Sequence, residues 1–264
     1  MKEFFNYFFG ADEANEFSNF SLAHFIPLIL LGVVLFLIIK FKDKIRNFKH
    51  EKLIRMTLSF MLIITEMSYF WRLVGIEELN ANPIDHLPIT VCGWAVIFCS
   101  NLVLSKSQSL FDIVYFWLFS GTLISIFIPA TVLSTCGPTR FRYYQFWFEH
   151  TLGFVALFYM MFVYKMRPTL KSLVKSVSVL AVLGVVAFTA NEILGPGANY
   201  LFLARPEDTP SILDKRKIVR NQWCRQCQTA KKTQPLHTRH LGNQHPRREK
   251  LKEKKLSKIV GNNV

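Results

Sequence analysis

Residues 1–20 lack the order of a secretory signal. Phe is mixed there with Asp and Glu, without a basic-then-apolar progression or a small-residue cleavage site. Cysteine is scarce. Cys92, Cys99, Cys136, Cys224 and Cys227 form no paired extracellular framework and leave the redox compartment open. No convincing inverted repeat divides the chain, which removes a common sequence pointer to a transporter. Residues 215–264 lack an apolar run long enough to cross a bilayer. Acidic residues are also rare in that stretch, with 2 Asp+Glu against 15 Lys+Arg, while residues 1–214 carry 16 against 17. The net charge of +14 therefore belongs to the tail. A charge-rich tail is usually solvated, so nucleic-acid binding is not its expected role.

Apolar residues are abundant. They make up 51% of the 264 residues, and Phe alone contributes 25. Several runs approach the roughly 20 residues that span a hydrocarbon core. The expected fold is all-α, a polytopic integral membrane helix bundle with six spans, near 21–41, 53–74, 87–104, 110–128, 143–163 and 173–194. Residues 1–214 form the transmembrane domain. Residues 215–264 read as a basic tail, disordered or aberrant.

The loops set an expected orientation. The first, Phe41 to Lys52, is strongly basic; the fifth carries Lys165, Arg167 and Lys171; the third has Lys106. The second, Ile76–His86, is acidic. By the positive-inside rule the odd loops are cytoplasmic and the N-terminus is outside a cell membrane. Arg140 and Arg142 in the fourth loop dissent.

This topology puts seven polar residues in the outer half: His24, Glu66, Arg72, Cys92, His150, Asn191 and Glu192. The cytoplasmic half offers little comparable. Ionisable groups inside a bilayer are costly, face the bundle interior and mark function. Seven at one depth suggest a polar cavity opening outward. Cys92 alone reads as a small hydrophobe, and Cys99 as filler. With His150 at similar depth, a thiol and a base can make a nucleophile, and Glu66, Glu149 or Glu192 can orient the imidazole. Glu66 and Arg72, six residues apart, do not face each other. Each is expected to find a partner on another helix, and a guanidinium near the interface suits a lipid phosphate. Pro88 fits a first helical turn. Gly93 allows close helix packing. Gly195-Pro196-Gly197 reads as a helix stop.

These residues carry a resemblance. Phe17-Ser18-(x)5-His24, Glu66 with Arg72, Leu87-Pro88 leading to Cys92, Phe111-Asp112-(x)2-Tyr115-Phe116-Trp117, Phe148-x-His150 and Gly197 to Leu203 resemble the YwaF-like family of bacterial membrane proteins. That family is similar to the animal transmembrane protein 164 group. The resemblance covers about residues 15–214. It implies an acyltransferase acting on membrane phospholipids, with Cys92 and His150 as the catalytic pair and no cofactor. The chain departs from the pattern at Thr90-Val91, where the family often has His before the Cys. It departs again after Asp214, where a seventh span is expected and a basic stretch stands instead. In the tail, Cys224-(x)2-Cys227-(x)9-His237-(x)2-His240 has near-zinc spacing, but the intervening residues lack the apolar core of a zinc module, so no metal is expected. The alternative functions are a transporter or permease binding a small solute, and a non-catalytic membrane scaffold.

Overall fold

The computed structural model describes residues 2–10, 17–76, 79, 81–82, 86–129, 133, 136–195 and 198–203. The expected tail at 215–264, its Cys and His residues and the site of the missing seventh span lie outside them, as does Asp85. The regular elements are helical: α1 Lys2–Phe9, α2 Leu22–Arg46, α3 Glu51–Gly75, α4 Val91–Ser105, α5 Gln108–Phe127, α6 Phe141–Phe162 and α7 Leu170–Leu194. Six of these match the six expected spans. Helix α1 was not expected.

Four helices, α2, α3, α5 and α7, are long and apolar enough to cross a membrane. Helix α4 is apolar but only 15 residues long. Helix α6 has the length, yet its sequence includes Arg142, Gln145, Glu149 and His150. The difference follows from position. Helix α6 runs through the middle of the bundle against α2, α3, α4 and α5, and α7 lies along α5. The long face of α2 (Ile29, Leu30, Phe36) and that of α7 (Val182, Val185, Phe188) are exposed. Apolar faces of that extent suit hydrocarbon rather than water. This is a multi-pass helical membrane bundle with apolar helices outside and its polar load inside.

Local sequence explains the helix ends. Pro27 has no N–H to give Ala23, four residues back. The Ala23 carbonyl instead accepts a 2.6 Å bond from the Tyr143 hydroxyl, tying α2 to α6. Thr169 and Ser172 form a reciprocal capping box at the start of α7. Gly195, at φ +82°, ends α7 in a conformation that glycine adopts without strain. Lys106 ends α4 in the left-handed region, and the α4 carbonyls of Val103 and Leu104 accept from Arg55 of α3.

The bundle has two ends. The Thr90 end gathers the starts of α2, α4 and α6 with the ends of α3, α5 and α7. The Lys106 end gathers the rest.

Candidate functional site

Helix α4 sets the site. Thr90 is extended (φ −124°, ψ 145°), and its hydroxyl accepts from the Gly93 N–H at 3.1 Å, so the helix starts at Val91. The expected third span began at Leu87. The structure shifts it, because Leu87, Pro88, Ile89 and Thr90 form a non-helical strap ahead of the helix, bent at Pro88 where the Ile89 N–H donates to the Leu87 carbonyl at 2.7 Å. Thr90, at a point of departure from the family pattern, is therefore the N-cap. Cys92 falls in the first turn, where unpaired backbone N–H groups carry partial positive charge.

A cavity of about 300 Å³ opens beside this turn. Cys92, Thr90, Glu66, Glu149, His150 and Arg142 are among its lining residues. The sequence had grouped Cys92, His150 and Glu66 for their depth and offered Glu149 as an orienting carboxylate, and all four line this one space. The Thr122 hydroxyl of α5 lies close to the Cys92 thiol. Thr122 sits in a wide π-type turn, Leu118–Thr122, that interrupts α5. Such turns occur often at functional sites.

His150 is buried in α6. Its Nδ1 lies 2.8 Å from the Phe146 carbonyl oxygen, and its ring stacks on Phe146 with centroids 4.2 Å apart. A carbonyl can only accept, so Nδ1 carries the hydrogen and the neutral ring keeps its lone pair on Nε2. The orienting group for His150 is thus a backbone carbonyl one turn back, where sequence had offered three carboxylates. Glu149 accepts from Gln145 at 2.8 Å, and Gln145 in turn accepts from Arg142. Arg142 also stacks over the Tyr69 ring, 4.6 Å from its centre.

Gly93 has a specific role. A Cβ at this position would lie 2.7 Å from a Glu66 carboxylate oxygen and 2.9 Å from the Thr90 hydroxyl oxygen. Glycine lets the carboxylate approach the first turn of α4, which is a closer constraint than the helix packing expected for it.

Four sequence candidates are absent from the cavity lining. His24 takes the Phe20 N–H on Nδ1 at 3.0 Å and turns Nε2 to the Ile126 carbonyl, also 3.0 Å, joining α2 to the end of α5. Arg72 donates to the carbonyls of Phe9 and Gly10 at 2.7 and 2.6 Å, closing the C-terminus of α1. Asn191 clamps Tyr200, donating to its carbonyl and accepting its N–H at 2.7 Å. Glu192, one residue further round α7, is exposed. Shared depth alone does not bring side chains to one face.

The model of the TMEM164 family matches residues 19–224. The chain belongs to the TMEM164 family. The matched stretch holds all the cavity residues named above and continues past Asp214, where the sequence had seemed to leave its family. No curated protein and no solved structure matches the chain.

In this TMEM164 family member, sequence reading missed Arg142, Gln145, Tyr69, His86, Ser125 and Tyr200 as cavity residues. One signal was available. Arg140 and Arg142 broke the charge rule for the fourth loop. Arg140 is buried, donating to the Tyr7 carbonyl and stacking over the Tyr7 ring at 4.0 Å, and Arg142 faces the cavity. Neither is a loop charge. Cys99, by contrast, is fully buried against the Gly153 backbone, away from the cavity lining.

Proposed function

We propose that this chain is a membrane-lipid acyltransferase or transacylase that carries the acyl group on Cys92. The observation that supports the reading is the shared cavity: a thiol in the first turn of a helix, an imidazole with its Nε2 lone pair available, a guanidinium and two carboxylates around one space. His150 Nε2 takes the thiol proton as Cys92 Sγ attacks the ester carbonyl of a phospholipid. The ester C–O bond breaks, the proton passes to the departing alkoxide, and a lysolipid leaves with the acyl chain held as a thioester. A second lipid alcohol then gives its proton to Nε2 and attacks the thioester. The new ester forms, and the thiol recovers its proton. No cofactor enters either half.

Arg142 is the guanidinium in the cavity, so it takes over the phosphate-holding role that sequence assigned to Arg72. The basic odd loops support an N-terminus outside a cell membrane, with the cavity opening to the outer side. Arg140 is buried and Arg142 lines the cavity, so neither weighs against this orientation as a free loop charge would.

The test uses purified protein in phospholipid nanodiscs, acid-quenched and analysed by intact-mass and peptide mass spectrometry. An acyl adduct on Cys92 that hydroxylamine removes is expected, with none on Cys99. Cys92→Ser should lose both adduct and transfer. Transfer that persists in Cys92→Ser, or an adduct that survives His150→Ala at full rate, would exclude this mechanism. Solute-dependent protection of the cavity without any adduct would favour the transporter reading.

A further inference from the structure

An acyl group bound to Cys92 needs space for its hydrocarbon chain, and that space must join the cavity directly. Among the described residues, three sizeable apolar hollows flank the bundle. One of about 440 Å³ lies between α2 and α6, and one of about 510 Å³ lies between α2 and α3 over α6. Neither shares a lining residue with the polar cavity. The third, of about 530 Å³, lies between the end of α3 and the strap ahead of α4. It shares Phe70, His86, Leu87 and Pro88 with the polar cavity and extends away from it over Leu73 and Val74. Its volume falls within the roughly 300–1,000 Å³ of ligand pockets.

The wall between the two spaces is pinned at His86, Leu87 and Pro88. The Tyr69 hydroxyl and His86 Nδ1 are 2.9 Å apart. The Leu87 N–H donates to the Tyr200 hydroxyl at 3.0 Å, and the Pro88 carbonyl accepts from the Trp94 indole at 2.9 Å. These bonds come from α3, the turn after α7 and α4, so the strap is held from three sides. The space on one side is lined by Glu66, Arg142, Glu149 and His150, and the space on the other by Met67, Leu73, Val74 and Ala81.

We infer that the hollow beside the strap is a binding site for one hydrocarbon chain of a membrane lipid, with its ester end in the Cys92 cavity. Leu73 and Val74 line the far part of the chain path, and the strap sets where the chain passes from polar to apolar surroundings. The chemical identity of the chain rests on the proposed acyl transfer. The site itself rests on the wall that the two spaces share, Phe70, His86, Leu87 and Pro88.

The experiment uses the full chain in nanodiscs doped with a phospholipid carrying a diazirine in one acyl chain, followed by irradiation and peptide mapping. Crosslinks are expected to concentrate at residues 67–74 and 86–88, several-fold above those on the lipid-exposed Ile29 and Leu30. Leu73→Trp fills the hollow and should remove this excess. Val74→Trp, at a position 85% exposed, blocks the outer part without entering the core and should also reduce it. Crosslinks spread evenly over α2, α3 and α7, or an excess that both variants leave intact, would overturn the chain site. Cys92→Ser separates the two ideas, since it should lose the acyl adduct and keep the crosslinks. Crosslinks that vanish in this variant would show that the thioester, rather than the hollow, holds the chain, and would overturn the site.

Discussion

The two ends of the bundle handle buried polar groups in opposite ways. At the Lys106 end they are paired directly. Glu51 accepts from Arg55 at 2.9 Å and from the Tyr159 hydroxyl at 2.7 Å, and Arg55 also closes the C-terminus of α4. Asp112 accepts from Lys175, Ser172 and Gln108, each at 2.8 Å, joining α5 to α7. At the Thr90 end, Cys92, His150, Glu66, Glu149 and Arg142 surround an open space. The Lys106 end carries more polar content than depth in the sequence suggested: Glu51 lies just before the expected second span, and Arg55 and Asp112 lie near the starts of the expected second and fourth. A buried charge therefore identifies no site by itself. What separates the ends is whether the polar groups leave room for a ligand.

Exchanging effects between the ends tests this contrast. The largest expected effect is on turnover at the Thr90 end. Cys92→Ser should reduce lipid acyl transfer to background, and His150→Gln should reduce it about 10²–10⁴-fold, the usual contribution of a general base. Both should melt in detergent close to the parent. A large drop in melting temperature for Cys92→Ser would make this end as structural as the other.

The next effect is on stability at the Lys106 end. Arg55→Met leaves Glu51 without its guanidinium and the α4 carbonyls without their cap. Breaking a fully buried ion pair from one side costs about 3–5 kcal/mol, and Glu51 keeps some exposure, so the loss falls toward or below the lower end of that range. Thermal unfolding should show that loss while activity per folded molecule stays near the parent, and adding Glu51→Gln should restore part of it. Unchanged stability with lost turnover would break the contrast from the other side.

Gly93→Ala is a smaller perturbation at the cavity. Its methyl must displace the Glu66 carboxylate and crowd the Thr90 cap. Weakening an N-cap costs about 1 kcal/mol. A modest fall in melting temperature is expected with a larger proportional fall in transfer, read by the adduct assay. A change in stability alone would remove Glu66 from the working site.

The fold was legible in sequence because span-length apolar runs leave few structures a bilayer accepts. Six expected spans correspond to six helices, with boundaries moved where a cap decides, as at Thr90. The site was legible only to the level of depth. Depth grouped His24, Arg72 and Asn191 with Cys92, since hydropathy carries no information about which face of a helix points inward. The helix α1, whose C-terminal carbonyls accept from Arg72, has eight residues and gave no span signal. The π turn that brings Thr122 to Cys92 depends on packing and has no clear mark in Leu118 to Thr122. Arg142 was visible, but as an anomaly of loop charge rather than as a cavity residue.

The smallest expected effect lies between the ends, where Ser59 of α3 and Ser100 of α4 pair at 2.7 Å. Both are buried and neither lines the cavity. The absence of competing water does not make such a bond strong: interhelical hydrogen bonds in membranes average only about 0.6 kcal/mol. Ser59→Ala leaves Ser100 a partner, since the Ser100 hydroxyl also lies 3.4 Å from the Ser59 carbonyl oxygen. A loss near that average is therefore expected on thermal unfolding, with the α3–α4 contact kept and transfer unchanged. The double variant Ser59→Ala, Ser100→Ala should cost hardly more than either single change. A much larger loss in either would mean that α4 is held in register by this pair, and the position of Cys92 would then depend on a contact far from the cavity.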